Sequence, residues 1–163
     1  MQDITAAFYD QWRIVVSWVN GTLNILTNEQ LCLPIAPGKN HGIWILGHLI
    51  ESEDELGVYL GKSDWLFPQY ETLFGQGSTL LPTHHYPTPD VLRRQWKEVC
   101  ARNDQILTHF TNAEWHEPHT RIGNGNPLDD FFKTKGRCIA IWNIHQAYHA
   151  AQLALISSFS TVR

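Results

Sequence analysis

The sequence lacks the features that mark a membrane protein or a disulfide-stapled secreted one. No apolar run approaches the ~20 residues that a bilayer-spanning helix needs. The opening segment, MQDITAAFYDQW, has neither the basic start nor the apolar stretch of a signal peptide. Cys32, Cys100 and Cys138 form no CxxC pair and no even-numbered disulfide framework. We therefore expect a cytoplasmic protein with reduced thiols and no membrane partner.

Charge is also scarce, and it carries no basic excess. Charged residues make up 17% of the chain, and the net charge is −4 with histidine neutral. A nucleic-acid-binding protein needs a basic surface, so we expect no nucleic-acid partner. Apolar residues make up 43% of the 163 residues, an ordinary globular balance. The chain is therefore expected to form a single domain over residues 1–163.

Four segments show the three-and-four spacing of apolar residues that indicates amphipathic helices, and no segment alternates strongly like a strand. Between the second and third helices, residues 61–87 are rich in Gly, Pro and aromatic residues. This pattern predicts an all-α fold, a four-helix bundle with a long crossover loop between the second and third helices. The predicted helices run from about Ile4 to Asn20, from Asn40 to Leu60, from Thr88 to Phe110, and from Gly136 to Phe159 with an entry turn from Leu128.

The stretch NIHQAYHAAQLALI places two histidines, His145 and His149, four residues apart on the fourth helix. Residues at this spacing share one helix face, and two imidazoles there can converge on one ion at about 2.0–2.1 Å. The same spacing also arises by chance in buried helices, so it leaves metal binding and tolerated burial about equal. Gln146 directly follows the first histidine, which excludes the zinc-peptidase motif because that motif needs Glu there.

The other histidines offer weaker signals. His48, in ILGHL on the second helix, is flanked by apolar residues, and taken alone it reads as a core-edge histidine bonded to the backbone. His41 lies at the start of that helix and is expected to help cap it. His116 and His119 are close enough to share an ion, but Pro118 lies between them in a loop, and surface histidines are the favoured interpretation.

Two of these motifs together resemble a known family. NHGIWILGHL followed about a hundred residues later by HQAYHAAQL is similar to the signatures of the DinB family, which overlaps the YfiT-like metalloenzymes. LTNEQL and PG before the second helix and TPDVL at the third extend the resemblance over nearly the whole chain. The resemblance implies a four-helix bundle and, in many members, a homodimer. It also implies a divalent metal held by His48, His145 and His149.

The resemblance further implies a chemistry. Three neutral histidines with an open position suit catalytic zinc, and nickel, iron, manganese or cobalt accept the same ligands; zinc and nickel are the expected ions. Characterised relatives include bacillithiol S-transferases, mycothiol-dependent isomerases and glutathione-linked enzymes. We thus expect a metal-dependent thiol S-transferase with a low-molecular-weight thiol as co-substrate, acting on an electrophilic small molecule in detoxification or stress. The alternative is a non-catalytic binding or structural protein whose ion ties helices together.

The sequence departs from the family in two places and offers four further polar residues near the ligands. Ala151 stands where relatives often have Gly, and Gln146 replaces the Glu of some relatives, which puts an acid–base role there in doubt. Glu51 and Glu55 follow His48 on one helical stripe and could orient a ligand or act as a base, although solvated charges are the favoured interpretation. Two more residues, Tyr148 and Gln152, could be partners of the ligands or packing residues, and the sequence leaves both interpretations open.

Overall fold

The computed structural model describes residues 4–121 and 131–159, and over these ranges the chain is all-helical, as predicted. It contains no strand there, only two isolated β-bridges. Four helices are long: α1 Ile4–Ile25, α3 Gly42–Tyr59, α5 Pro89–Thr108 and α7 Lys135–Phe159. The short elements are α2 Asn28–Leu31, α4 Tyr70–Phe74, α6 Asn112–Trp115 and a 3₁₀ turn at Thr83–His85.

Helix α1 is longer than its sequence predicts. The expected stop at Asn20–Gly21 is wrong, because the helix continues to Ile25. Leu23 follows Val19 by four residues and lies in the core. Burial of a leucine contributes about 1.5–3 kcal/mol, which exceeds the roughly 1 kcal/mol that a glycine costs inside a helix. Tertiary packing therefore carries α1 through its glycine.

The N-cap of helix α3 lies one residue after Asn40, where the sequence predicts the helix to start. His41, and not Asn40, is the N-cap, and its Nδ1 accepts a hydrogen bond of 3.0 Å from the backbone N–H of Trp44. The helix ends at Tyr59, and the predicted stop at Gly61 is confirmed by its left-handed φ of +67°. Almost every residue of α3 is buried, since α4, α5 and α7 all pack on it.

The two later helices begin close to where the sequence predicts. Helix α5 starts at Pro89 directly after Thr88, although the Thr88 side chain makes no capping hydrogen bond. Helix α7 starts at Lys135, one residue before the predicted position. The entry turn expected from Leu128 lies outside the described residues.

The long helices pack in pairs around a shared apolar core. Helix α1 packs on α5 and α7, and α3 also packs on α5 and α7. The two helices that carry the candidate ligands, α3 and α7, therefore lie side by side. The largest fully buried side chains are those of Trp96, Tyr70, Phe74, Leu31, Ile45, Leu46, Leu49, Ile50, Leu56, Leu60, Leu92 and Ile139.

The connection between α3 and α5 packs directly against α3. A Cβ atom at Gly47 would lie 2.2 Å from the Phe74 ring, so glycine lets α4 approach the helix this closely. Further along, Trp44 Nε1 donates a hydrogen bond of 3.2 Å to Ser78 Oγ. The connection thus forms one wall of the region around His48. None of the described helices is long and apolar enough to cross a membrane.

Candidate metal centre

Helix α3 presents His48 inward, and the connection after the helix holds its ring. The ring is stacked on Trp44, with centroids 4.9 Å apart and planes 22° apart. On the other side, His48 Nδ1 lies 2.7 Å from the backbone oxygen of Phe74. A carbonyl oxygen only accepts, so Nδ1 carries the proton and Nε2 keeps its lone pair. The interpretation of His48 as a histidine bonded to the backbone is therefore correct for Nδ1 alone.

Helix α7 presents His145 and His149 toward α3. His149 is buried and His145 half-buried. His149 Nδ1 lies 2.8 Å from the side-chain oxygen of Gln152, one turn further along α7. In this arrangement Nδ1–H donates to the amide oxygen, and His149 Nε2, like that of His48, keeps its lone pair.

The three imidazoles meet at their Nε2 atoms. His145 Nε2 lies 3.0 Å from His48 Nε2 and 3.1 Å from His149 Nε2. The ring centroids are 4.5–4.9 Å apart. These residues form the one group of three or more His, Cys, Asp or Glu side chains within metal-binding distance over residues 4–121 and 131–159. The structure thus brings together the three residues that the sequence and its resemblance single out.

The electrostatics of the cluster favour neutral rings. Burial, and after it the neighbouring His149 and His48, lowers the pKa of His145 from 6.5 to about 3. Burial and the neighbouring His48 lower the pKa of His149 to about 4, against the opposing hydrogen bond from Gln152. Neutral imidazole is the form that coordinates metal, so neither ring must lose a proton near neutral pH before binding.

The donor set fits a divalent ion. The Nε2 lone pairs of His48 and His149 point at His145 Nε2, which also offers a lone pair when His145 carries its proton on Nδ1. Ligands at 2.0–2.1 Å from a tetrahedral ion are about 3.3 Å apart, and two of the observed separations, 3.0 and 3.1 Å, are close to this value. Within the described part of the chain no carboxylate or thiolate joins the group as a fourth ligand.

Glu51 and Glu55, which follow His48 on α3, were expected to be solvated charges, and the structure differs from this expectation. Glu51 is only 5% exposed, and its Oε2 lies 3.6 Å from His48 Nδ1. Glu55 is half-buried, and Arg121 Nη1 lies 3.8 Å from its carboxylate. Burial, followed by the charge of Glu51, raises the pKa of Glu55 to about 7, whereas Arg121 lowers it and Glu71 raises it. The interpretation of both residues as solvated charges is wrong for Glu51 and only partly right for Glu55.

Tyr148 and Gln152 differ in their relation to the centre. Gln152 is half-buried and holds His149, one of the two functions that the sequence left open for it. Tyr148, for which the sequence left a ligand partner or a packing residue open, is 62% exposed. Its ring still touches that of His149, with centroids 5.0 Å apart. Tyr148 therefore lies at the outer rim of the centre.

The remaining histidines lie apart from the cluster. His41 caps α3 as expected. The surface interpretation is correct for His116 but wrong for His119, which is 3% exposed and packs on Tyr59 with ring centroids 5.0 Å apart. His119 Nδ1 accepts a hydrogen bond of 3.1 Å from the backbone N–H of Arg121. Among the described residues, no group of three or more potential metal ligands includes His116 or His119.

Two groups that support the ligands were missed by the sequence reasoning. Trp44 lies within the NHGIWILGHL motif, four residues before His48, so helical spacing alone could have placed it on the same face. The Phe74 backbone oxygen has no sequence signal, because any residue carries a carbonyl. Its position depends on Gly47, which admits the Phe74 ring.

The fold and this cluster define an all-helical protein with a candidate three-histidine metal centre. The chain belongs to the DinB superfamily, whose family model matches residues 7–153. No curated protein matches the chain. Among solved structures, a conserved protein of Enterococcus faecalis is similar in fold, with a TM-score of 0.69 at 14% identity over 96% of each chain.

Proposed function

We propose that this chain is a divalent-metal-dependent enzyme that transfers a low-molecular-weight thiol to an electrophilic small molecule. One observation carries the proposal: three imidazole Nε2 atoms converge, and no fourth protein ligand joins them among the described residues. Three protein ligands leave a coordination position for a substrate, which is the catalytic arrangement and not the closed structural one. DinB membership supports the choice of thiol chemistry.

The chain's own residues would hold and shape the reaction site. A divalent ion, zinc or nickel first and iron, manganese or cobalt as alternatives, would supply the Lewis acidity that favours the thiolate form of a bound thiol. The Phe74 carbonyl and Gln152 hold two of the ligand rings in orientation. The S–H proton leaves to solvent, the sulfur forms a bond to the electrophilic carbon, and the leaving group departs with its electron pair.

The metal part of the proposal is tested by elemental analysis of the purified protein and by thermal melts with and without a chelator. A catalytic ion with an open position should be retained, and its removal should lower the melting temperature only slightly. A structural ion that ties α3 to α7 would instead cause a large loss of folding on chelation. Failure to retain any of several added divalent ions would reject the metal centre.

The transfer part is tested separately. Metal-loaded protein is incubated with bacillithiol, mycothiol or glutathione and an alkyl halide or an epoxide, and thioether formation is followed. We expect at least one thiol to react faster than in the uncatalysed control. His145→Ala should lose this acceleration and His116→Ala, at an exposed position, should keep it. Rates equal to the control with every thiol would reject thiol transfer.

The proposal also covers the arrangement of the helices and the cellular location of the protein. We propose that the four long helices form a four-helix bundle in which the connection from α3 to α5 is the long crossover. The pairwise packing of these helices supports this arrangement. We also propose a cytoplasmic location, which the three free cysteines support because reduced thiols persist in reducing compartments.

We propose that the active form is a homodimer joined through the outer side of α1 and α7. Six large apolar side chains on these adjacent helices are 47–67% exposed. With roughly 200 Å² per side chain, they leave roughly 700 Å² of apolar surface, near the 800 Å² or so that each partner buries in a standard interface. They are Ile14, Trp18 and Ile25 of α1 and Ile144, Tyr148 and Leu155 of α7.

Sedimentation or light scattering tests the dimer. Trp18→Glu should convert it to a monomer, because a charge would be buried at the centre of the apolar face. Leu80→Glu, at a partly exposed position in the connection between α3 and α5, should leave it dimeric. A wild-type protein that is monomeric at micromolar concentration would disprove the dimer without affecting the metal proposal.

A further inference from the structure

A single buried carboxylate links all four long helices. Glu53 of α3 is 1% exposed, and its Oε2 accepts hydrogen bonds of 3.0 Å from Trp12 Nε1 of α1 and 2.7 Å from Asn103 Nδ2 of α5. Its Oε1 accepts a hydrogen bond of 2.6 Å from Gln146 Nε2 of α7. Burial raises the pKa of Glu53, opposed by the hydrogen bonds from Asn103 and Trp12.

The hydrogen bond between Glu53 and Gln146 involves a residue that is adjacent in sequence to a candidate metal ligand. Gln146 directly follows His145, is 1% exposed and points into the core, about 100° around α7 from the ligand. Its side-chain oxygen has no hydrogen-bond partner among residues 4–121 and 131–159. A buried polar group costs stability unless it is bonded, so apolar packing alone does not explain a glutamine here. The hydrogen bond from its amide N–H group to Glu53 is therefore the contact that accounts for a glutamine at this position.

The rotation of α7 must be accurate for the three imidazoles to meet. A side-chain tip lies about 6 Å from its helix axis, so turning the helix by 10° moves the tip by roughly 1 Å. Metal–ligand distances tolerate only about 0.2 Å. Hydrophobic burial is non-directional and does not fix rotation this closely, whereas a short hydrogen bond does.

We infer that Glu53 and Gln146 are positioning residues, whose hydrogen bond fixes the rotation of α7 so that His145 and His149 face His48. The inference rests on the metal centre proposed above. A second bond, of 2.7 Å from Trp142 Nε1 to the Ser52 backbone oxygen, joins the same two helices on the other side of His145. Loss of the Glu53 bond should therefore weaken metal binding without abolishing it.

The partnerless oxygen of Gln146 makes a discriminating variant available. In Glu53→Gln the new amide oxygen can take the position that accepts from Trp12 and Asn103, and its NH₂ then faces Gln146. The Gln146 amide can turn so that its oxygen accepts that donor. The charge is lost but the link between α3 and α7 is kept. Gln146→Met, of similar length and volume, removes the link.

The dissociation constants of Co²⁺ and Zn²⁺ and the visible spectrum of the Co²⁺ protein test the inference. Gln146→Met should raise both constants about 10–100-fold, the range for residues that orient ligands, and should change the Co²⁺ spectrum. Glu53→Gln should stay within about threefold of wild type. Gln146→Asn, one methylene too short to reach Glu53, provides the same test if Gln146→Met does not fold.

The matched control is Asp54→Asn. Asp54 is also fully buried on α3, but it bonds to Leu66, Phe67 and Arg102, none of which is on α7. It should lose stability to urea while metal affinity stays within about threefold. Unchanged affinity in Gln146→Met, equal losses in Asp54→Asn, or a loss in Glu53→Gln as large as in Gln146→Met would each overturn the inference.

A structural readout separates this inference from the proposed function. If the wild type binds neither ion, the proposed function fails, but the rotation of α7 can still be measured. Crystal structures of metal-free wild type and Gln146→Met give the separation of the His48 and His145 Nε2 atoms, 3.0 Å here. A wider separation in the variant supports the positioning role, and an unchanged one rejects it.

Discussion

Two polar clusters share the core of this protein, and they are satisfied in opposite ways. In the carboxylate cluster, Glu53 and Asp54 receive side-chain donors from α1, α5 and α7 and backbone donors from the connection after α3. In the histidine cluster, the Nδ1 atoms of His48 and His149 have acceptors, but three Nε2 atoms point at one another. The two carboxylates are satisfied without any added group, whereas the three imidazoles form a set that could bind a cation.

The difference shows how a buried polar residue reveals its function. A buried group with internal partners stabilises the fold and can be lost only with large damage. A set of buried groups whose lone pairs can converge on one point contributes little to the fold and is suited to bind a ligand. Substitutions in the two clusters should therefore separate stability from metal affinity.

The largest effect is expected from Asp54→Ala. Asp54 is fully buried, and its Oδ1 accepts a hydrogen bond of 2.5 Å from Arg102 Nη1. Removing it leaves Arg102 as a mostly buried charge without its partner, which costs about 3–5 kcal/mol. The free energy of unfolding in urea should fall by this amount, while Glu98→Ala on the exposed surface of α5 should change it by less than about 0.5 kcal/mol. A loss below about 1 kcal/mol would contradict the ion-pair account.

His145→Ala should lower metal affinity strongly and stability little, which is the reverse of the effect expected for Asp54→Ala. The His145 Nε2 atom is close to both other ligand nitrogens, so its removal leaves only two ligands. Zn²⁺ affinity should fall more than the about 10–100-fold that loss of an orienting partner costs. Stability of the metal-free protein should fall less than in Asp54→Ala, because His145 is half-buried and neutral whereas Asp54 is fully buried and paired with Arg102. His84→Ala, at an exposed position, should leave titrated affinity unchanged, and unchanged affinity in His145→Ala itself would reject the ligand assignment.

Gly47→Ala tests the support of His48. The new Cβ would lie 2.2 Å from the Phe74 ring, and overpacking of this kind costs about 1–3 kcal/mol. The displaced Phe74 carbonyl should also release His48 Nδ1 and lower metal affinity. The matched control is Gly21→Ala in α1, where nothing lies within 4 Å, and this change should stabilise by about 0.5–1 kcal/mol. Melting temperatures that shift the same way in both variants would refute the packing argument.

The smallest expected effect is a pH dependence of the free energy of unfolding, to which Glu55 contributes. The folded pKa of Glu55 is about 7, above its ordinary value of 4.5. Between these values the folded state binds more protons than the unfolded state, so this contribution falls as pH rises from about 4.5 to 7. Glu55→Gln should remove that decline when unfolding free energies are compared with wild type across the window.

Glu114 provides a comparison of opposite sign. Hydrogen bonds from Lys62 and from the Thr111 backbone lower the pKa of Glu114 from 4.5 to about 2. Its stabilisation is present above about pH 4.5 and is lost as pH falls toward 2. The difference between wild type and Glu114→Gln should therefore shrink on acidification. Equal slopes for the Glu55 and Glu114 variants would contradict both assignments.

The sequence predicted the helices better than it predicted burial. The apolar spacing predicted the four long helices, and Pro89 and Gly61 marked ends correctly. It failed for Glu51, which was expected to be a solvated charge, and it made no prediction for Glu53 and Asp54 in the same run, ESEDE, of α3. The side chains of Glu53 and Asp54 are satisfied in the core because donors reach them from α1, α5 and the connection after α3, and no local pattern records such distant partners.

The spacing of His145 and His149 by itself determined that two imidazoles share one face of α7, because helix geometry is local. The resemblance to a family pointed to His48. Only the tertiary structure decided that the three Nε2 atoms meet, since this depends on the contact between α3 and α7 and on the Phe74 carbonyl. It also decided that Gln146 donates a hydrogen bond to Glu53, whereas the sequence showed this residue only as a missing glutamate. The hydrogen bond between Glu53 and Gln146 joins residues that are 93 positions apart in the sequence. It depends on how the helices pack, and packing leaves no periodic pattern in the sequence.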